Sequence, residues 1–367
     1  MDESSTPRYF LTVPAAGKFD AAFLPVTSID DIRSALLASP RVKPVGGGTK
    51  PALGGAADGG TALPLKDYTG IVEYLPDEFT ITARAGTPLA EIGAALARNG
   101  QYLPFDPPLV EAGATLGGTI AAGANGPGRL RYGGLRDFIL GTVFLAGDGR
   151  LIHGGGKVVK NAAGFDFPKL LVGSAGRLGV ILEATFKVFP RPRSWAVVQV
   201  PMGSVGEAVK AIGSLNRLAV DFDALELTSD GTLHARIGGD EGTLAARMAR
   251  LRSLSGLEWQ ADDAAVWSGW QKVLGARIPV TLSQIPSLDP AVAALGHSRR
   301  YSVAGNLAVI EAPNPTLSRL LASMGLRGLC FDGAVPRVGD WETVDLVERR
   351  LLPVLDPTGR LSGVALS

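Results

Sequence analysis

Apolar and polar positions in the first half of the chain follow two rhythms. Ile32, Leu36 and Leu37 in the stretch 30–38, and Leu89, Ile92, Ala95 and Leu96 in the stretch 88–98, recur at helical spacing, and Asn99-Gly100 closes the second helix. Thr80 to Arg84 alternates as a strand does, and Lys43-Pro44-Val45-Gly46 reads as a strand running into a loop. Phe138 to Leu145 and Val180 to Phe189 are apolar runs of strand length, the pattern of strands covered on both faces.

Beyond residue 193 the rhythm changes. Strand patterns at Trp195 to Val200, Ala224 to Thr228 and Leu233 to Ile237 interleave with helical patterns at Val205 to Leu215 and Thr243 to Leu254, in the order βαββα. The segments Pro279 to Leu282, Ala291 to Leu295, Arg300 to Val303, Leu307 to Ala312, Leu317 to Met324 and Gly328 to Phe331 repeat that order, which predicts a ferredoxin-like α+β arrangement. Pro190-Arg191-Pro192-Arg193 can continue neither a helix nor a central strand. The chain therefore divides into 1–193, 194–345 and a closing segment 346–367, whose tail from Leu351 to Ser367 reads as turn-rich.

Composition sharpens this picture at one point. With 46% hydrophobic and 19% charged residues among 367, disordered, collagen-like and coiled-coil classes are excluded. Glycine, at 48 residues, is about twice its usual share of roughly 7%. The glycines crowd into 46–60, 113–134, 154–156 and 164–179, so the first half is where a ligand and backbone would approach closely. A net charge of +1 gives no global field for nucleic acid or an anionic membrane. The single cysteine, Cys330, excludes an internal disulfide or an iron–sulfur cluster carried by this chain alone, and its apolar surroundings predict an inert thiol. Without a signal-like start or a run of about 20 apolar residues, a cytoplasmic soluble protein is expected.

Three glycine-rich motifs carry the candidate chemistry. In Gly46-Gly47-Gly48-Thr49-Lys50, consecutive glycines can turn successive amides toward one anion, with the Thr49 hydroxyl as a further donor. A plain glycine-rich turn has equal weight, and the spacing is not that of a P-loop. The second motif runs from Thr115 to Gly126 and leads into Arg129, Arg131, Tyr132 and Arg136. From Thr115 to Ser194 eleven Lys/Arg stand against four acids, which favours an anionic ligand over the alternative of a solvated basic face. The third runs from Lys160-Asn161-Ala162-Ala163-Gly164-Phe165-Asp166 to Gly173, Gly176 and Gly179. It lacks both the Gly-x-Gly-x-x-Gly spacing and the downstream acid of a nicotinamide site. Trp195, Trp267, Trp270 and Trp341 read as core or interface aromatics.

Taken in order, these motifs resemble the flavoprotein superfamily of vanillyl-alcohol oxidase type. Within it the chain is similar to the FAD-binding E subunits of glycolate oxidase. The residues that carry the similarity are Gly46 to Lys50, Thr82 to Glu91, Leu103-Pro104-Phe105-Asp106-Pro107-Pro108, Thr115 to Gly118, Arg136 to Gly141, Lys160 to Asp166 and Gly176-Arg177-Leu178-Gly179-Val180-Ile181. The resemblance implies a two-subdomain FAD-binding domain followed by a smaller ferredoxin-like α+β cap. It implies that Gly46, Gly47, Gly48, Thr49, Lys50, Thr115, Leu116, Gly117 and Gly118 hold the FAD pyrophosphate through backbone amides. Gly176, Gly179, Val180 and Ile181 would contact the adenosine side, and Asn125, Gly126, Tyr132, Lys160 and Asn161 would lie nearer the flavin.

No His or Cys stands beside the first glycine motif, so noncovalent FAD is implied. The resemblance further implies oxidation of glycolate, a small 2-hydroxy acid, to glyoxylate, with electrons leaving through a catalytic flavoprotein subunit and an iron–sulfur subunit of one complex. The alternatives are a stand-alone flavin enzyme for another hydroxy acid or alcohol, and a non-catalytic assembly subunit. The three histidines, His153, His234 and His297, are scattered and supply no evident substrate base, so no catalytic residue and no metal site is assigned. For the substrate carboxylate the candidates are Arg129, Arg131 and Arg136.

Overall fold

The computed structural model describes residues 26–53, 60–156, 166–333 and 335–361. Its first helix, Ile29–Ala38, starts on a reciprocal cap, in which the Ser28 hydroxyl accepts from the Asp31 amide and the Asp31 carboxylate accepts from the Ser28 amide. Ile32 and Leu36 turn inward onto the parallel strand pair Val42–Val45 and Thr61–Pro64. The larger sheet of this region is antiparallel, in the order Ile71–Leu75, Thr80–Arg84, Val180–Lys187, Ile139–Leu145, Leu151–Gly155. Its central strand, Val180–Lys187, is covered on both sides. Val180 and Leu182 join the cluster of Ile32 and Leu36, whereas Ile181, Ala184 and Phe186 join the cluster under the helix Leu89–Ala97. That double burial is why the segment opens with the unbroken apolar run Val180-Ile181-Leu182.

A second antiparallel sheet has nine strands. Half of it follows the order Gln260–Ala261, Ser194–Pro201, Thr232–Gly239, Ala224–Thr228, and the other half the order Arg299–Ser302, Leu307–Ile310, Ala276–Pro279, Arg327–Cys330, Arg337–Gly339. The halves meet where Leu227 pairs with Tyr301 and Thr228 with Arg300. Numbered along the chain, the first half runs 4-1-3-2 across the sheet, with the helices Val205–Leu215 and Glu241–Ser255 as its crossovers. The helices of both halves bury one face of the sheet in a common core.

Strand periodicity then puts a polar row on the other face. Leu233, Ala235 and Ile237 face the core, so His234 and Arg236 face away; Leu225 and Leu227 do the same for Glu226, and Ala276 and Ile278 for Arg277. This polar face is turned toward the first region. Arg236 pairs with Asp106, and Arg131 reaches Asp223 at 3.1 Å, both as largely buried ion pairs.

Three sequence expectations move, the helix expected at 291–295 starting six residues earlier as Ile285–Ala294. The strand expected at 279–282 lies at Ala276–Pro279 and is followed by the short 3-10 turn Leu282–Gln284, because Arg277 breaks the apolar run while occupying the sheet's polar face. The tail from Leu351 is not all turn, since the helix Glu342–Leu355 continues to Leu355. Leu351 and Leu352 pack against the first core and Leu355 is buried in it, and this packing holds the last turn despite Pro353. Past the helix, the Asp356 carboxylate accepts from the amides of Arg360 and Leu361, at 2.9 Å each. The Arg360 carbonyl then accepts from the Val42 amide at 2.8 Å, tying the tail to the first strand pair.

Candidate functional site

A cleft with a volume of about 100 Å³ opens between the glycine motifs. Gly46 to Lys50, leaving the strand Val42–Val45, form one wall; Thr115, Gly117 and Gly118, at the start of the helix Leu116–Ala122, form the second; Gly176, Gly179 and Ile181 close the third. Glycine is required here by proximity. A Cβ on Gly46 would lie 2.2 Å from Thr115 Oγ1, one on Gly47 2.0 Å from the Gly113 carbonyl oxygen, and one on Gly117 2.7 Å from Ala85 Cβ. Gly48 has a different reason, a φ of +67° with open space where a side chain would stand.

The cleft suits an anion. Its lining carries no acidic side chain among the described residues, and the amides of Gly46 to Thr49 donate to no other group of the described residues. Lys50 is 8% exposed, its ammonium donating to Thr49 Oγ1 at 3.0 Å, and burial lowers its pKa to about 8. Uncommitted amides, a buried cation and glycines that leave the backbone bare are the donor set a pyrophosphate needs.

The sequence candidates separate into groups. Gly46, Gly47, Gly48, Thr49, Lys50, Thr115, Gly117, Gly118, Gly176, Gly179 and Ile181 come together on the cleft. Leu116 and Val180 do not line it, because their side chains are buried in the two cores flanking the sheet. Tyr132 packs 5.0 Å from the Phe189 ring, outside the cleft lining. Lys160 and Asn161 lie outside the described residues. Asn125 and Gly126 line a second, small cavity of about 10 Å³, facing the polar row of the nine-stranded sheet. Asn125 is itself committed to loop backbone, donating to the Gly123 carbonyl at 2.7 Å and accepting from the Leu135 amide at 2.6 Å. Arg131, a candidate for a substrate carboxylate, is engaged by Asp223. Cys330 is fully buried, and desolvation pushes its thiol up to about 12.

Sequence reasoning missed the apolar lining of the cleft at Leu53, Leu65 and Ala85, and the far wall of the second cavity. For the second cavity a signal existed. Arg and Glu alternate with core residues in Ala276–Pro279 and Ala224–Thr228, a pattern that ordinarily marks a solvent face but here marks a covered one. Among the described residues there is no group of three potential metal ligands, and no helix is long and apolar enough to cross a membrane.

Residues 21–155 match the family described as FAD binding domain. The chain is 41% identical over 203 residues to the glycolate oxidase subunit GlcE of Escherichia coli (strain K12), covering 55% of this chain and 57% of that protein. It is 34% identical over 182 residues to a D-lactate dehydrogenase of Archaeoglobus fulgidus, covering 46% of this chain and 40% of the relative. The chain thus spans about half the length of the curated relatives it matches. In structure it resembles p-cresol methylhydroxylase with substrate bound, at a TM-score of 0.72 and 12% identity, over 93% of this chain and 87% of the other.

Proposed function

We propose that this chain, whose residues 21–155 match the FAD binding domain family and whose mixed α+β fold resembles that of p-cresol methylhydroxylase, is the FAD-binding subunit of a multi-subunit glycolate oxidase. The observation that carries this reading is the cleft itself, a space walled by three glycine motifs with no acidic side chain among its described lining residues and with Lys50 buried in its rim. The amides of Gly46 to Thr49, with those of Gly117 and Gly118, would hold the pyrophosphate of FAD, and the Lys50 ammonium would offset its charge. The wall of Gly176, Gly179 and Ile181 would take the adenosine side. Asn125, Gly126 and Tyr132 would lie toward the flavin, with Lys160 and Asn161 in the same role, while Leu116 and Val180 support the walls from the cores. FAD supplies, when bound, a two-electron acceptor for oxidation of glycolate to glyoxylate.

No His or Cys lines the cleft among the described residues, which favours noncovalent attachment. Electrons would pass to a catalytic flavoprotein subunit and an iron–sulfur subunit of the same cytoplasmic complex. In this reading 1–193 is the FAD-binding domain, 194–345 a ferredoxin-like cap and 346–367 a closing segment. The test is Gly117→Val with Gly118→Val in the assembled complex, following bound flavin and glycolate oxidation together. Loss of both with the complex intact supports redox use of this cleft. Glycolate oxidation that persists after this chain has lost its flavin would instead make the chain a scaffold.

A further inference from the structure

The three walls of the cleft meet behind its lining. Leu53, just past the first glycine motif, Ala122, the last residue of the helix Leu116–Ala122, and Ala175, in the third motif, all line the cleft. The same three residues gather in one small apolar cluster with Ala124 and Phe331. Phe331 comes from the other region, one residue past the strand Arg327–Cys330. Its ring is 2% exposed and lies outside the cleft lining. Its backbone is held from two sides: the Phe331 amide donates to the Gly275 carbonyl at 3.0 Å, and its carbonyl accepts from the Ala52 amide at 3.4 Å. The second and third walls are also joined by backbone, Gly173 donating to the Ile120 carbonyl at 3.0 Å and Ala175 to the Ala121 carbonyl at 2.8 Å.

We propose that Phe331 is a positioning residue for the cleft: its ring sets the spacing of the three glycine walls, so that the second region takes part in cofactor binding from outside the lining. Volume is what gives the ring this role. Its partners on the second and third walls are alanines, whose side chains cannot extend to fill a void. Without the ring, the backbone that carries the walls either moves inward or stands over an empty space. The amides of Gly46 to Thr49 and those at the start of the helix Leu116–Ala122 can hold one anion between them only while both sets stand at hydrogen-bond distance, and an N–H···O bond tolerates little stretching. A shift of either wall is therefore felt as lost affinity. That the anion is the pyrophosphate of FAD rests on the reading given under Proposed function; the hold of the ring on the walls does not.

Two measurements on the full-length chain separate this role from packing in general. Phe331→Ala is compared with Leu251→Ala, which opens a void in the second region's own core, outside the cluster. In the FAD-free chain, peptides carrying the amides of Leu53, Gly173 and Ala175 should exchange hydrogen about tenfold faster in Phe331→Ala and at the parent rate in Leu251→Ala. Calorimetric titration with FAD should give a Kd about tenfold higher in Phe331→Ala and unchanged in Leu251→Ala. Phe331→Leu, which fills part of the void, should bring both changes down to about threefold, and it serves if Phe331→Ala does not fold. Exchange and affinity that stay at the parent values in Phe331→Ala, or that change equally in Leu251→Ala, overturn the role. If exchange rises as expected but the parent chain takes up no FAD, the role of Phe331 stands and the FAD reading fails. If the parent and Phe331→Ala bind FAD equally tightly, the FAD reading stands and the role of Phe331 fails.

Discussion

The cleft between the glycine motifs and the second cavity are made of different material. The cleft of the first region is built from backbone: glycines from three loops approach so closely that a Cβ on Gly46 or Gly47 would overlap the neighbouring loop, and Lys50 is the single cation among its described lining residues. The second cavity is built from side chains, with Trp270, Arg277 and the pair Arg300 and Ser302 coming from three separate segments to face Pro108, Asn125 and Pro127. A backbone site needs short runs of special residues and so stays local in sequence. A side-chain site can be assembled by strand pairing from anywhere along the chain, and the difference decides how each will respond to mutation.

The largest effect is expected where the two regions are tied together. Asp106→Ala leaves Arg236 as an unanswered buried charge against the first region, and should lower stability by about 3–5 kcal/mol. Urea unfolding of the FAD-free chain measures it, and a change below 1 kcal/mol would mean that the regions are held by something else. Next comes Gly47→Val, which drives a branched side chain into the Gly113 carbonyl and overpacks the loop pair at about 1–3 kcal/mol. Flavin retained through gel filtration should disappear, whereas Arg277→Met should retain it. If both variants lose flavin equally, the two cavities are not independent.

Lys50 gives a prediction in pH. Its pKa of about 8 in the folded, ligand-free chain lies below its ordinary 10.5, so the unfolded chain binds the proton more tightly between those values. Stability of the FAD-free chain should therefore rise with pH from about 8 to 10.5, and Lys50→Met should abolish the rise. Anion binding favours the charged ammonium, so FAD affinity should fall as pH rises through 8 in the parent chain and stay level in Lys50→Met. Isothermal titration at three pH values reads both slopes, and an identical slope in the variant would remove Lys50 from the account. The smallest effect is expected from Gly48→Ala, where space is open and only the positive φ resists, at about 1–2 kcal/mol.

This contrast also explains what could be read from the sequence. Double burial makes Val180–Lys187 recognisable as a strand, and the glycine clusters mark the cleft in the sequence itself. Leu116 and Val180 were placed in the site with their motifs, although a motif fixes which backbone lines a cleft and not which side chain turns inward. Arg131 looked available because its partner Asp223 is 92 residues away, a separation that no local pattern bridges. Arg277 and Arg300 were hidden for the complementary reason, since a polar residue on a strand's second face looks the same whether water or another region covers it. Prolines had a similar effect on helices: Pro353 sits inside the closing helix, held there by Leu351, Leu352 and Leu355.

The most direct measurement is the visible absorption spectrum of the full-length chain after incubation with FAD and gel filtration, followed by acid precipitation. The account predicts a flavin spectrum at one FAD per chain, with all the yellow colour released into the supernatant by acid. A chain that elutes colourless would contradict the cofactor cleft, and colour that stays in the pellet would contradict noncovalent attachment.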